Sequence, residues 1–124
     1  MKAICTICSR KKNDGAELIP ARVRYAGDHI KTTADIAEES NLPFFILSGK
    51  YGLISSEEKI PDYDYYLEEQ AVDSLAQTVA KQLKERDITE LVLHTEGKDS
   101  WKPYDSVLQK ATELAEVTLQ RVSI

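Results

Sequence analysis

Apolar residues gather along this chain in short runs with little alternation, separated by stretches of helical spacing. Residues 2–8 (Lys-Ala-Ile-Cys-Thr-Ile-Cys) read as a first strand, stopped by the polar cluster Ser9-Arg10-Lys11-Lys12. Residues 43–48 make the most hydrophobic segment, Phe44-Phe45-Ile46-Leu47 without alternation, the pattern of a central strand covered on both faces. Residues 90–95 (Glu-Leu-Val-Leu-His-Thr) give a third buried strand. Residues 117–123, with Val117, Leu119 and Val122 alternating imperfectly, give a last one at a sheet edge.

Between the strands the period changes. Ile30, Ala34 and Ala37 mark one face of a helix over 29–40, with Asp28 as N-cap and Asn41 and Pro43 closing it. Val72, Leu75, Ala76, Val79, Ala80 and Leu83 recur at helical spacing over 69–86, and Lys81, Lys84 and Arg86 suit the negative end of its dipole. Pro103 opens a third helix, whose stripe is Tyr104, Val107, Leu108, Ala111 and Leu114. Two long connections remain: 9–27, with Asn13-Asp14-Gly15 and Pro20, and 54–68, rich in acids and tyrosines.

A helix intervenes between successive strands, so the sheet should be mostly parallel with right-handed crossovers and helices on both faces. The predicted fold is α/β, a three-layer α/β/α sandwich around a small, mostly parallel four-stranded sheet. At 124 residues the chain is predicted to form a single domain over 1–124.

Charge is divided unevenly. The net charge of −5 argues against a general nucleic-acid coat, yet residues 1–31 carry seven bases against three acids. A local basic pocket on an acidic body fits that division, as do solvated loop charges. Neither a span of ~20 apolar residues nor a secretory leader is evident, so no membrane partner and a cytoplasmic location are expected. Cys5 and Cys8 form a C-x-x-C, but no second cysteine pair exists and His29 and His94 fall at no common zinc spacing. Three apart within a strand pattern, the two thiols should point to opposite faces as reduced, packed groups, with no metal and no cofactor.

Parallel topology collects the carboxyl ends of the strands on one rim, the usual ligand position of open α/β sheets. That rim should hold Ser9, Arg10 and Lys11 after the first strand, and Ser48, Lys50 and Tyr51 after the second. The long connections bring Arg22, Arg24 and Tyr25 from one side and Tyr63 and Asp64 from the other. Convergent cations, hydroxyls and Gly-loosened backbone at Gly49 and Gly52 suit phosphate or another anion, and Tyr25, Tyr51 and Tyr63 offer flat surface for a ring. Ser48-Gly-Lys-Tyr-Gly lacks the spacing of a Walker A loop, and no dinucleotide fingerprint, H-E-x-x-H or nucleophile elbow occurs. Each position also has a plainer explanation. Lys50 to Leu53 forms a turn with Leu53 plugging the core, Arg22 and Arg24 tie the connections together, His94 is a packed strand residue, and Trp101 and Tyr104 cap and pack a helix start.

The blocks Cys8-Ser9-Arg10-Lys11-Lys12, Pro20-Ala21-Arg22-x-Arg24-Tyr25-x-Gly27, Phe45-Ile46-Leu47-Ser48-Gly49-Lys50-Tyr51-Gly52-Leu53 and Tyr63-Asp64 together resemble a family of small bacterial and archaeal domains of unknown function. The likeness covers residues 4–67 best. Those domains are distantly similar to YaaA-like peroxide-stress proteins and to domains accompanying tRNA-guanine transglycosylases. The resemblance implies a nucleobase, nucleoside or nucleic-acid connection. Gly49 stands where the family usually has Ala, and the glycine-rich tail of many relatives is missing.

The expected function is therefore binding of a small anionic or nucleotide-like ligand at the rim, extending to cleavage of an N-glycosidic or phosphoester bond. Arg10, Lys11 and Lys50 would hold phosphate, Ser9 and Ser48 would bond it, Tyr51 would stack, and Asp64 would serve as acid or base. The alternative is a non-catalytic interaction module whose partner surface is the acidic segment 57–69. Edge strand and exposed tyrosines are compatible with a homodimer.

Overall fold

The computed structural model describes residues Met1–Ile124. Strand β1 (Lys2–Ile7) runs into a long connection that holds the two-residue strand β2 (Ile19–Pro20) and a single helical turn, α1 (Ala21–Arg24). Helix α2 (Asp28–Ser40) leads to β3 (Phe44–Ser48), which turns back as β4 (Gly52–Ser55). The second connection contains β5 (Lys59–Ile60) and a 3₁₀ turn before α3 (Val72–Glu85). Strand β6 (Glu90–Thr95), helix α4 (Lys102–Ala115) and strand β7 (Thr118–Ser123) complete the chain.

The central sheet has five strands in the order β4-β3-β1-β6-β7, so it is one strand wider than the sequence pattern predicts. β3, β1, β6 and β7 are mutually parallel, with Cys5 opposite Phe45 on one side and Leu93 on the other. The additional strand β4 pairs antiparallel with β3, Leu47 opposite Leu53. It follows β3 through a tight turn in which Gly52 takes φ 80°, a conformation natural to glycine. Gln82 of α3 fastens that turn: its Oε1 accepts from Leu53 N at 2.7 Å and its Nε2 donates to Tyr51 O at 3.0 Å.

Alternation along the strands divides the core in two. Ala3, Cys5, Ile7, Phe45, Leu47, Leu91 and Leu93 face α3 and α4, while Ile4, Phe44, Ile46 and Val92 face Ile30 and Ala37 of α2. Helices on both faces make the three-layer α/β sandwich. From β1 the chain passes to β3 by way of α2 and returns across β1 to β6 by way of α3. The reversal of direction with change of face is what uniform crossover handedness requires. It also makes β1 and β6 the strands at which the sheet order reverses, the topological position where α/β sheets hold ligands.

Gly27, rather than Asp28, caps α2; Asp28 is the first helical residue, and Asn41 closes the helix in the left-handed conformation at φ 54°. The two long connections are more ordered than their composition suggests. β2 and β5 pair antiparallel, Ile19 opposite Ile60, and Ala21 N and Arg22 N donate to Glu58 O and Ser56 O. Lys12 bridges Tyr25, with Asn13 N donating to Arg24 O at 2.8 Å and Ala26 N to Lys11 O at 2.9 Å.

His94 packs in β6, buried, and its Nδ1 has no hydrogen-bond partner. Burial holds the imidazole below its ordinary pKa. An unfolded chain accepts a proton near pH 6.5 that folded His94 resists, so its contribution to stability is complete above that pH and is lost as pH falls toward the lowered value. Denaturant unfolding followed from pH 7.5 to 5 should therefore show a decline that is shallower in His94→Leu.

Candidate ligand site

At the carboxyl ends of β1 and β6 lies a pocket of about 340 Å³, small but within the range of ligand sites. Its floor comes from Ile7, Cys8 and Ser9 at the end of β1. One wall is the second connection, with Tyr63, Tyr65, Tyr66 and Leu67, and the other is the start of α4, with Ser100, Trp101 and Tyr104. His29 of α2 and the cations Arg10 and Lys12 complete it, and no carboxylate lines it. Helices α2 and α4 both begin at this rim because each follows a parallel strand, so their positive dipole ends add to the side-chain cations.

The cations nearest the pocket rest on aromatic rings instead of carboxylates. Arg10 lies 4.6 Å from the centre of the Tyr66 ring. Lys12 Nζ sits 4.7 Å from the Tyr63 centroid and 5.9 Å from that of Tyr25. Lys50 Nζ sits 5.3 Å and 5.4 Å from Tyr51 and Tyr63. The rings are themselves packed edge to face, Tyr63 against both Tyr25 and Tyr51. Other cations do have acidic partners: Lys98 pairs with Glu96 at 2.6 Å, and Arg22, expected at this rim, lies instead beside the amino end of β3, where its main chain bonds Ser56 and its side chain pairs with Glu57 at 2.6 Å. A cation on an aromatic face keeps its charge available to an incoming anion, whereas a salt-bridged one has its charge offset.

Two expected ligand-binding hydroxyls are already occupied by the chain. Ser9 Oγ donates to Lys11 O at 2.6 Å and accepts from Gly27 N at 3.1 Å, which folds the basic cluster back over β1. Ser48, buried at the end of β3, accepts from Lys50 N at 3.1 Å and Tyr51 N at 3.0 Å and meets Tyr63 Oη at 2.9 Å. Both build the rim. Arg24 is buried entirely: its guanidinium donates to Asn13 O at 2.6 Å, to Glu17 O and toward Ile60 O. It clips the two connections together beneath the site. Lys11 is exposed, and Lys50 reaches the site's edge through its aromatic contacts. Asp64 is exposed and lies outside the pocket lining, so the lining offers no carboxylate for acid–base work.

His29 and Trp101 contribute more than the sequence suggests. Their rings meet edge to face at 4.9 Å, His29 Nε2 donates to Ile7 O at 2.8 Å, and Nδ1 stands 3.7 Å from Glu96 Oε1. Gly27 makes this approach possible, since a Cβ there would fall 2.8 Å from both His29 Cε1 and Ser9 Cβ. Gly27→Ala should cost about 1–3 kcal/mol in a urea titration, as overpacking does, while displacing two lining residues.

The thiols lie on opposite faces, Cys5 in the core beneath α3 and α4, Cys8 against the α2 side and in the pocket floor. Burial pushes both thiols up; at Cys8 the Gly49 amide, the Tyr104 hydroxyl and Lys12 oppose it in part. Burial likewise pushes the Tyr25 and Tyr104 hydroxyls up and Tyr63 to about 12, so all three carry their protons at neutral pH.

A family model described as a family of unknown function, DUF6884, matches residues 5–124. The chain belongs to this family. The match extends through α4 and β7, well past the blocks quoted from residues 4–67, so the family is defined over nearly the whole fold. No curated protein and no solved structure matches the chain. Neither comparison supports the likeness to YaaA-like and transglycosylase-associated domains expected from the sequence. Nor is any helix of this family member long and apolar enough to cross a membrane.

Proposed function

We propose that this DUF6884 protein binds a small planar anion, of the nucleotide or nucleobase-phosphate class, in the pocket at the ends of β1 and β6. The observation that carries this reading is the charge arrangement: Arg10, Lys12 and Lys50 rest on tyrosine faces without carboxylate partners beside a lining that contains no acid. The cations suit phosphate or carboxylate oxygens, and the edges of His29, Trp101 and Tyr104 suit a ring. A volume of about 340 Å³ fits a mononucleotide better than a dinucleotide.

The competing reading treats segment 57–69 as a partner surface. Tyr63, Tyr65, Tyr66 and Leu67 of that segment line the pocket, which favours a ligand wall over a free surface. With Asp64 outside the lining, the proposal is binding, and bond cleavage is no part of it.

A thermal-shift panel of inorganic phosphate, pyrophosphate, nucleoside mono- and triphosphates, free bases and short DNA and RNA tests the reading. A ligand at 100 times its dissociation constant should stabilise by ~2.7 kcal/mol, several degrees for a domain of this size. The shift should vanish in Lys12→Ala. No shift with any of these ligands would overturn the proposal.

A further inference from the structure

The hydroxyls of Ser48, Tyr25 and Tyr63 meet behind the pocket wall, where Tyr63 alone of the three residues lines the pocket, and their protons can be assigned by elimination. Ser48 Oγ accepts two backbone N–H groups, from Lys50 and Tyr51, at 3.1 and 3.0 Å. A hydroxyl oxygen has two lone pairs and one proton. Its remaining contact, to Tyr63 Oη at 2.9 Å, must therefore be the one in which Ser48 donates.

Tyr63 Oη also meets Tyr25 Oη. Tyr25 is only 2% exposed; its hydroxyl meets Tyr63 Oη, and the neighbouring Ser48 oxygen already accepts two N–H groups and has no lone pair left for it. If Tyr63 donated to Tyr25, the Tyr25 proton would be buried without an acceptor, a costly arrangement. The satisfied order is Ser48 to Tyr63 and Tyr25 to Tyr63. Both acceptor positions of Tyr63 are then filled from within the protein, and its own proton has no partner there.

Tyr63 lines the pocket and lies beneath two ammonium groups, Lys12 at 4.7 Å and Lys50 at 5.4 Å from its ring centre. We propose that Tyr63 is the pocket's directed hydrogen-bond donor, its O–H held toward the ligand by Ser48 and Tyr25 and given to an oxygen of the bound anion. This deepens the binding reading above and rests on it for the ligand. The proton order itself belongs to the ligand-free protein. Neutral tyrosine is required, and burial keeps Tyr63 protonated at physiological pH. The two donors and two cations around it also stabilise the charge drawn onto its oxygen when it donates.

Two variants separate a ligand contact from a structural one. Tyr63→Phe and Tyr25→Phe remove the same tyrosine–tyrosine hydrogen bond, so both should lower the melting temperature. Only Tyr63→Phe removes the donor. Calorimetric titration with inorganic phosphate and with adenosine and guanosine 5′-monophosphate should show about a tenfold loss of affinity in Tyr63→Phe and less than twofold in Tyr25→Phe. Equal losses would reduce the cluster to scaffolding and overturn the inference.

Should wild type bind none of the three probes, the binding reading falls for them, and the proton order is judged separately. Hydroxyl-proton exchange in ligand-free protein carrying ring-labelled tyrosine should find the Tyr25 proton protected and the Tyr63 proton open to water. The reverse protection would overturn the assignment whatever the ligand.

Discussion

Arg24→Ala should destabilise the protein by about 3–5 kcal/mol, the loss expected when a large buried side chain and its charge-assisted hydrogen bonds disappear together. For a domain of this size that is about 10–20 °C in melting temperature. Arg24 is wholly buried, has no carboxylate within ion-pair distance, and serves the carbonyls of Asn13, Glu17 and Ile60. Those carbonyls belong to both long connections, so one side chain fastens the two loops that frame the site. Lysine should not rescue, because a single ammonium cannot reproduce the planar fork that reaches carbonyls in different directions. Methionine keeps the aliphatic length and removes the charge, so Arg24→Met should fall between Arg24→Ala and wild type. Differential scanning calorimetry on the three variants checks the order. A melting temperature for Arg24→Ala within two or so degrees of wild type would contradict the role given to this residue.

The second large effect concerns binding. Arg10→Glu with Lys12→Glu should weaken any anion the pocket takes by about 100-fold or more, since charge-assisted hydrogen bonds are worth about 1.5–3 kcal/mol each. The fold should tolerate the change. Arg10 is exposed, Lys12 half-buried, and neither pairs with a carboxylate, so the losses are their contacts with tyrosine rings, about 0.5–1 kcal/mol apiece, and a long, exposed bond from Lys12 Nζ to Arg10 O at 3.5 Å. Calorimetric titration beside a melting curve separates the two quantities. A matched loss of stability and affinity would mean that these residues shape the rim without touching the ligand.

Much of this fold is legible in the hydrophobic pattern, because a buried strand and an amphipathic helix each impose a period. The four parallel strands and three long helices are all visible that way. Strand β4 is not: Gly52-Leu-Ile-Ser offers four residues, too few to show alternation, and its role as an edge partner of β3 depends on a turn set by Gly52 and held by Gln82 from a distant helix. The β2–β5 pair, two residues each, leaves no periodic trace.

The site follows the same logic. Topology alone brings Ser9 and Arg10 to the pocket. Side-chain direction inside loops has no period, and there sequence reading is weaker. Arg22 and Arg24 look equivalent, two apart in a basic stretch. A single helical turn points them apart, Arg22 to solvent and Glu57, Arg24 into the interior. Likewise Tyr63 turns inward and Asp64 outward, so the tyrosine and not the acid joins the pocket. Trp101 and Tyr104 do pack a helix start, as expected, but that start is itself a pocket wall. Their signal lies in where α4 begins, which only the sheet order β1–β6 reveals.

The central claim is that the pocket at the ends of β1 and β6 holds a planar anion. Amide and indole chemical shifts of ¹⁵N-labelled protein, followed during titration with adenosine and guanosine 5′-monophosphate, test it most directly. Saturable shifts should concentrate at Cys8–Lys12, Gly27, Leu67 and the Trp101 indole. Shifts confined to other surfaces, or none at millimolar nucleotide, would contradict the claim.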